Sequence, residues 1–271
     1  MAVSPPALRP RQHHHDDEHA LERGAAPAHA AHPPREAPLL AVCGLCGGAG
    51  ASTLSYLLAR YAVRELDGHV LVCDSGSSGG LATFAGVASR RSLGEAAEEI
   101  GRGLPRAGGL YVLDKSAGGE GRELRVIATG PRFDDGSDPG GVHALLSLAR
   151  RGSGHCLIVA DCGTLQQAAD REVLRDASHI AWVLPATRGG VRRAEGMLAA
   201  VPDAAGAVEL IVARRQLDQP AAPLKALKAL AEWRQARLVL LPRVSDPLKK
   251  TARAMRESEL SLQAICGVLQ R

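Results

Sequence analysis

The sequence predicts an α/β fold: a doubly wound, mostly parallel sheet of seven to eight strands with helices on both faces. Three observations predict it. Short apolar runs alternate with stretches whose apolar residues recur at helical spacing, which is the pattern of βαβ units. The core must be aliphatic, because 45% of the 271 residues are apolar but only 3% are aromatic, and buried parallel strands read as Val, Ile and Leu runs. A glycine-rich turn joins the first strand to the first helix, and open α/β sheets bind ligands at such strand ends.

Residues 1–37 come first and show no apolar period. Pro, Ala, His, Arg and acidic side chains dominate them, a composition that buries too little surface to offset ordering entropy. They read as a disordered tail ahead of one domain, residues 38–271. His13, His14, His15, His19, His29 and His32 fall in this tail. Such tracts can bind metal, but no ligand spacing repeats, and a polar tail is the simpler reading.

In the domain, strands are predicted at 39–43, 69–73, 124–128, 156–160, 180–184, 208–212 and 238–241, with 110–113 as a weaker eighth. Leu54, Leu57, Leu58 and Tyr61 line one helix between them. Val191, Ala194, Leu198 and Val201 line another, and Leu224, Leu227, Leu230 and Ala231 a third. Right-handed crossovers would put these helices on both faces of the sheet. The stretches 75–80, 116–121 and 134–141 are rich in Gly, Ser, Asp or Pro and read as loops.

Bulk properties exclude several functions. A net charge of +4 is too mild for a dedicated nucleic-acid binder. No run reaches the ~18 apolar residues of a membrane span, and the N-terminus lacks the apolar core of a signal peptide. Six scattered cysteines make no disulfide scaffold. The expected location is the cytoplasm, with reduced thiols.

The most informative segment runs from Cys43 through Gly44, Leu45, Cys46, Gly47, Gly48, Ala49, Gly50, Ala51, Ser52 and Thr53. It leaves an apolar strand and opens an amphipathic helix, the setting a phosphate-binding loop requires. Glycines let successive amides turn inward as an anion nest, and the helix end adds partial positive charge. The predicted nucleotide-binding residues are therefore Gly47, Gly48, Ala49, Gly50, Ala51, Ser52 and Thr53, with Ser52 placed to reach magnesium. The usual Gly-Lys-[Ser/Thr] ending is replaced by Gly50-Ala51-Ser52. The lysine that neutralises phosphates in phosphoryl transfer is absent.

The run from Gly47 to Leu54 resembles the deviant Walker A of the ParA/MinD superfamily. More narrowly, it is similar to CpaE/TadZ-like and septum-site-determining proteins of actinobacterial type. The resemblance spans about residues 38–271. It includes Val70-Leu71-Val72-Cys73-Asp74 with a following glycine-rich turn, and a Walker-B-like strand ending at Asp161. It implies a P-loop NTPase-like fold that takes ATP with magnesium. The family's signature lysine falls on Cys46 and the ordinary P-loop lysine on Ala51. The aspartate linked to the attacking water falls on Gly76, and the adenine-reading asparagine on Ala213. Ser52, Asp74 and Asp161 survive, so the resemblance gives Asp74 and Asp161 the catalytic places, and Ser52 and Asp161 the magnesium. Arg188 and Arg214 could supply cations only if their loops fold over the site.

What the resemblance implies is a positioning or scaffold protein for septum placement or Tad-type pilus or secretion assembly, working with protein partners. Its ATP site would be weak or lost, and hydrolysis would suffer most, because the lost groups hold the transition state. Homodimerisation, and location at the membrane periphery through partners, belong to the same expectation. An active but slow ATPase is the alternative. A thiol- or metal-dependent redox protein is another, prompted by Cys43-x-x-Cys46, with Cys73 and Cys162 also expected near strand ends; a buried Cys43 would act only as a small apolar residue. MinD-like proteins carry a C-terminal membrane helix. Here Lys249, Lys250, Arg253 and Arg256 precede Leu260, Leu262, Ile265 and Leu269, and a final helix packed on the sheet is the simpler reading.

Overall fold

A computed structural model describes residues 36–271 except 76–79, 86–110, 116–120, 128–138, 153, 167, 202–205 and 217–219. The predicted tail up to residue 35 and Gly76 lie outside the described residues. Ala37, assigned to the tail from sequence, is buried, and its N–H donates to Arg150 O at 3.0 Å.

In chain order the elements are β1 (Leu39–Gly44), α1 (Ala51–Glu65), β2 (His69–Asp74), α2 (Gly80–Ala85), β3 (Tyr111–Lys115) and β4 (Glu123–Ile127). Then follow α3 (Pro139–Gly152), β5 (His155–Asp161), α4 (Ala168–Asp176), β6 (His179–Pro185) and α5 (Arg188–Ala200). The chain ends with β7 (Val208–Arg214), α6 (Leu224–Trp233), β8 (Arg237–Leu241) and α7 (Thr251–Leu269).

One eight-stranded sheet has the order β3-β4-β2-β5-β1-β6-β7-β8. Every pairing is parallel except β3 with β4, at one edge. β1 sits between β5 and β6, and all six of its residues are buried. The strand period of two then divides the core. Leu40 and Val42 face a cluster built with α1 and α7, whereas Leu39, Ala41 and Cys43 face one built with α3, α4, α5 and α6. Helices therefore cover both faces, as predicted.

Several sequence readings shift, and Gly80, read as loop, opens α2. Pro139, Gly140 and Gly141 were read as loop but open α3; proline suits the first helical position, where no N–H is needed. Leu224 was placed on a buried helix face but is exposed, because it starts α6 ahead of the turn that meets the sheet. The last helix packs as expected: Ala254, Met255, Leu262, Ile265 and Leu269 of α7 are buried. Among the described residues no helix is long and apolar enough to cross a membrane.

β1 is also where the winding reverses. The chain passes through α1 to β2 on one side, while β6, β7 and β8 follow in order on the other. A crevice opens at the carboxyl ends of strands at such a reversal. The loop that leaves β1 lies there.

Candidate functional site

Residues 45–50 curl from β1 into α1. The Gly44 N–H donates to Gly163 O at 2.6 Å and the Leu45 N–H to Val183 O at 2.8 Å, which ties the loop to β6 and to the turn after β5. Gly48 and Gly50 have φ of 71° and 102°, a region that side-chain-bearing residues enter at a cost. Gly50 is also the N-cap of α1 and offers no side-chain cap, so the first amides of the helix are left for something else. Together with Gly47, Ala49, Ala51, Ser52 and Thr53 these residues line a cavity of about 480 Å³. Gly44, Cys46, Gly80, Thr83, Phe84, Gly163, Thr164 and Arg214 complete its wall.

Asp74 and Asp161 end neighbouring strands and pair in register. Both are fully buried or nearly so, at 0% and 1% exposure. Oδ1 of Asp74 accepts from the Leu81 N–H at 3.4 Å, and Oδ1 of Asp161 accepts from the Gly163 N–H at 3.2 Å. Oδ2 of Asp161 is buried and accepts no hydrogen bond of ordinary geometry. Burial pushes the Asp161 carboxyl up to about 6, while the Ser52 hydroxyl and the Gly163 amide pull it down and Asp170 pushes it up again. A deeply buried carboxylate with an idle oxygen beside a P-loop serine fits a hard divalent cation, which takes oxygen ligands. The amino end of α2 closes over the same pair. A Cβ on Gly80 would overlap Ser52 Oγ and stand 3.8 Å from Asp161 Oδ2.

The sequence-predicted residues thus meet at one place: the run from Gly47 to Thr53 with Asp161, and Asp74 on the adjoining strand. Arg188 begins α5, exposed and not on the cavity wall. Arg214 does reach it, donating from Nη2 to Gly48 O at 3.3 Å. Sequence reading missed Asp170 and Ser75. Asp170 is buried on α4 and accepts from Ser75 Oγ at 2.6 Å; the same hydroxyl lies 3.1 Å from Asp161 O. No local pattern marks Asp170, since its neighbours are those of any amphipathic helix.

The cysteines pack as apolar residues. Cys43, Cys73 and Cys162 are buried in the core face that meets α3, α4 and α5. Burial pushes the Cys43 and Cys73 thiols far up, away from the thiolate that redox and metal chemistry use. Among the described residues no three His, Cys, Asp or Glu side chains gather as a metal site.

Sheet order, loop and paired carboxylates define a doubly wound α/β fold of P-loop NTPase-like type. No family model matches the chain and no curated protein matches it in sequence. Solved structures do. A ParA family ATPase from Chlorobium tepidum TLS superposes with a TM-score of 0.63 at 15% identity, over 84% of this chain and 96% of that one. A chain of the MinC:MinD cell division protein complex from Aquifex aeolicus gives 0.59 at 15%, over 87% and 95%. The septum site-determining protein MinD with Mg-ADP from Pyrococcus horikoshii OT3 gives 0.58 at 16%, over 86% and 98%. At these identities the likeness establishes the fold, that of ParA/MinD ATPases.

Proposed function

We propose that this chain is a ParA/MinD-like positioning or scaffold protein whose pocket binds magnesium and nucleotide without efficient turnover. One observation carries the reading. The cradle and its buried carboxylates persist, while Cys46 and Ala51 put no charge where that family has lysine. Amides of residues 47–53 would meet the phosphates, and Ser52 and Asp161 would hold magnesium, which supplies charge neutralisation when bound. The groups lost are those that favour the transition state over the ground state. Binding can outlive catalysis on such terms, which suits a protein that responds to nucleotide or serves as a fixed scaffold.

The resemblance to CpaE/TadZ-like and septum-site-determining proteins points the role toward septum placement or Tad-type pilus or secretion assembly. The partners would be proteins of that apparatus or a second copy of this chain. The location would be cytoplasmic, or peripheral at the membrane through partners.

Calorimetry of the full chain with MgADP and MgATP tests the pocket. The expected result is binding in the micromolar to millimolar range, lost in Ser52→Ala and Asp161→Ala, with ATP turnover at background. No binding at millimolar nucleotide would sink the nucleotide reading. Turnover well above background, abolished by Asp161→Ala, would make the protein a slow ATPase instead.

A further inference from the structure

The cavity wall holds one charged side chain among the described residues, and it is Arg214. It leaves the carboxyl end of β7, two strands from β1, so its side chain passes the end of β6 to reach the loop. Nη2 donates to Gly48 O at 3.3 Å, and Nη1 lies 2.8 Å from where a Cβ on Gly50 would stand. Glycine at position 50 makes room for it.

This guanidinium is short of partners. It has five N–H donors, of which one bonds a loop carbonyl. Its Nε is buried and donates to nothing. Among the described residues no carboxylate pairs with it. Burial works against its charge. A partly desolvated, unpaired cation is costly until an anion completes it. The adjoining loop offers amides that suit the same anion.

We infer that Arg214 is the ligand-binding cation of this pocket, neutralising a phosphoryl group in place of the missing lysines. The inference rests on reading the pocket as a nucleotide site. A guanidinium fork grips two phosphate oxygens at once, so one arginine can hold a ligand firmly. One arginine and one divalent ion balance the charge of a diphosphate better than that of a triphosphate, which makes a nucleoside diphosphate the preferred ligand.

The test titrates full-length protein with MgADP, MgATP and inorganic pyrophosphate by calorimetry. The variants are Arg214→Ala, Arg214→Gln, Arg214→Lys and, as a control, the exposed neighbour Arg215→Ala, each checked for its melting temperature. ADP is expected to bind more tightly than ATP. Arg214→Ala and Arg214→Gln should both weaken ADP and pyrophosphate by roughly tenfold or more, Arg214→Lys should recover part of the loss, and Arg215→Ala should stay within about twofold. Gln fills the space without the charge, so a Gln variant binding like wild type would overturn the inference and leave the nucleotide reading standing. Arginine-dependent binding of pyrophosphate without binding of either nucleotide would uphold Arg214 and remove the nucleotide reading. Wild-type protein that binds none of the three ligands at millimolar concentration would overturn both.

Discussion

Gly50 carries three constraints at once. Its φ of 102° lies in the left-handed region, it starts α1, and Arg214 packs against its open side. A methyl group there costs about 1–2 kcal/mol for the backbone alone, and it must also push the guanidinium off the loop. Gly50→Ala should therefore lower stability by roughly 1–2 kcal/mol in urea unfolding and weaken MgADP binding as well. Wild-type stability with normal binding would show that the loop has another resting shape. Ser52, Asp74 and Asp161 were legible in the sequence because strand-loop-helix order fixes where they fall. Arg214 was legible only as one of two arginines whose loops could bring a cation to the site, and Asp170 was not legible at all, because their places depend on side-chain paths between elements that are distant in sequence.

At the level of elements, the two ends of the sheet differ in what they bury. Between β6, β7 and α6, the Glu209 carboxylate accepts from Arg234 Nε at 2.8 Å and Nη2 at 3.1 Å, and from Trp182 Nε1 at 2.8 Å. Both ionic side chains are almost fully buried, at 5% and 8% exposure. Removing one partner of such a pair strands the other charge. Glu209→Ala should cost about 3–5 kcal/mol, whereas replacing both partners by apolar residues of like volume should cost much less; equal losses would mean that the pair itself contributes the stability. On the other side of β1, also at the amino ends of the strands, His155 of β5 stands edge-on to His69 of β2, with Glu123 3.8 Å from His69. Burial pushes the His155 ring down to about 4; Ala149 O pulls it up, and Arg125 and His69 push it further down. The folded chain thus keeps His155 neutral over a range where the unfolded chain protonates it. The resulting stability is complete above about pH 6.5 and is lost as pH falls from there toward 4. Urea midpoints at about pH 7 and 4.5 should therefore differ more for wild type than for His155→Gln, and an unchanged acid slope would assign the loss to other groups. The seven parallel strands were readable because such strands announce themselves as apolar runs, whereas the antiparallel edge strand β3 showed only as a weaker run. The pairings of His69 with His155 and of Glu209 with Arg234 were not, since they need the strand order first.

For the molecule as a whole, α7 decides between two uses of one apolar surface. Its inward residues Met255, Leu262, Ile265 and Leu269 belong to the core cluster shared with α1. Its outward face carries Arg253, Arg256, Glu259 and Gln263, with Leu260 as the large apolar exception at 81% exposure. An interfacial membrane helix needs a broad free apolar face. This helix has spent its face on the sheet, and a single leucine buries too little area to hold a lipid surface. Leu260→Asp should leave stability within about 0.5 kcal/mol of wild type. Ile265→Asp puts an unpaired carboxylate in the core and should cost about 4 kcal/mol or more. In sedimentation with anionic phospholipid vesicles, the folded protein should stay in the supernatant, and Leu260→Asp should behave identically. Vesicle binding that Leu260→Asp abolishes would mean that α7 leaves the sheet when lipid is offered. The core built around α1 would then be an equilibrium partner of the membrane rather than a permanent packing.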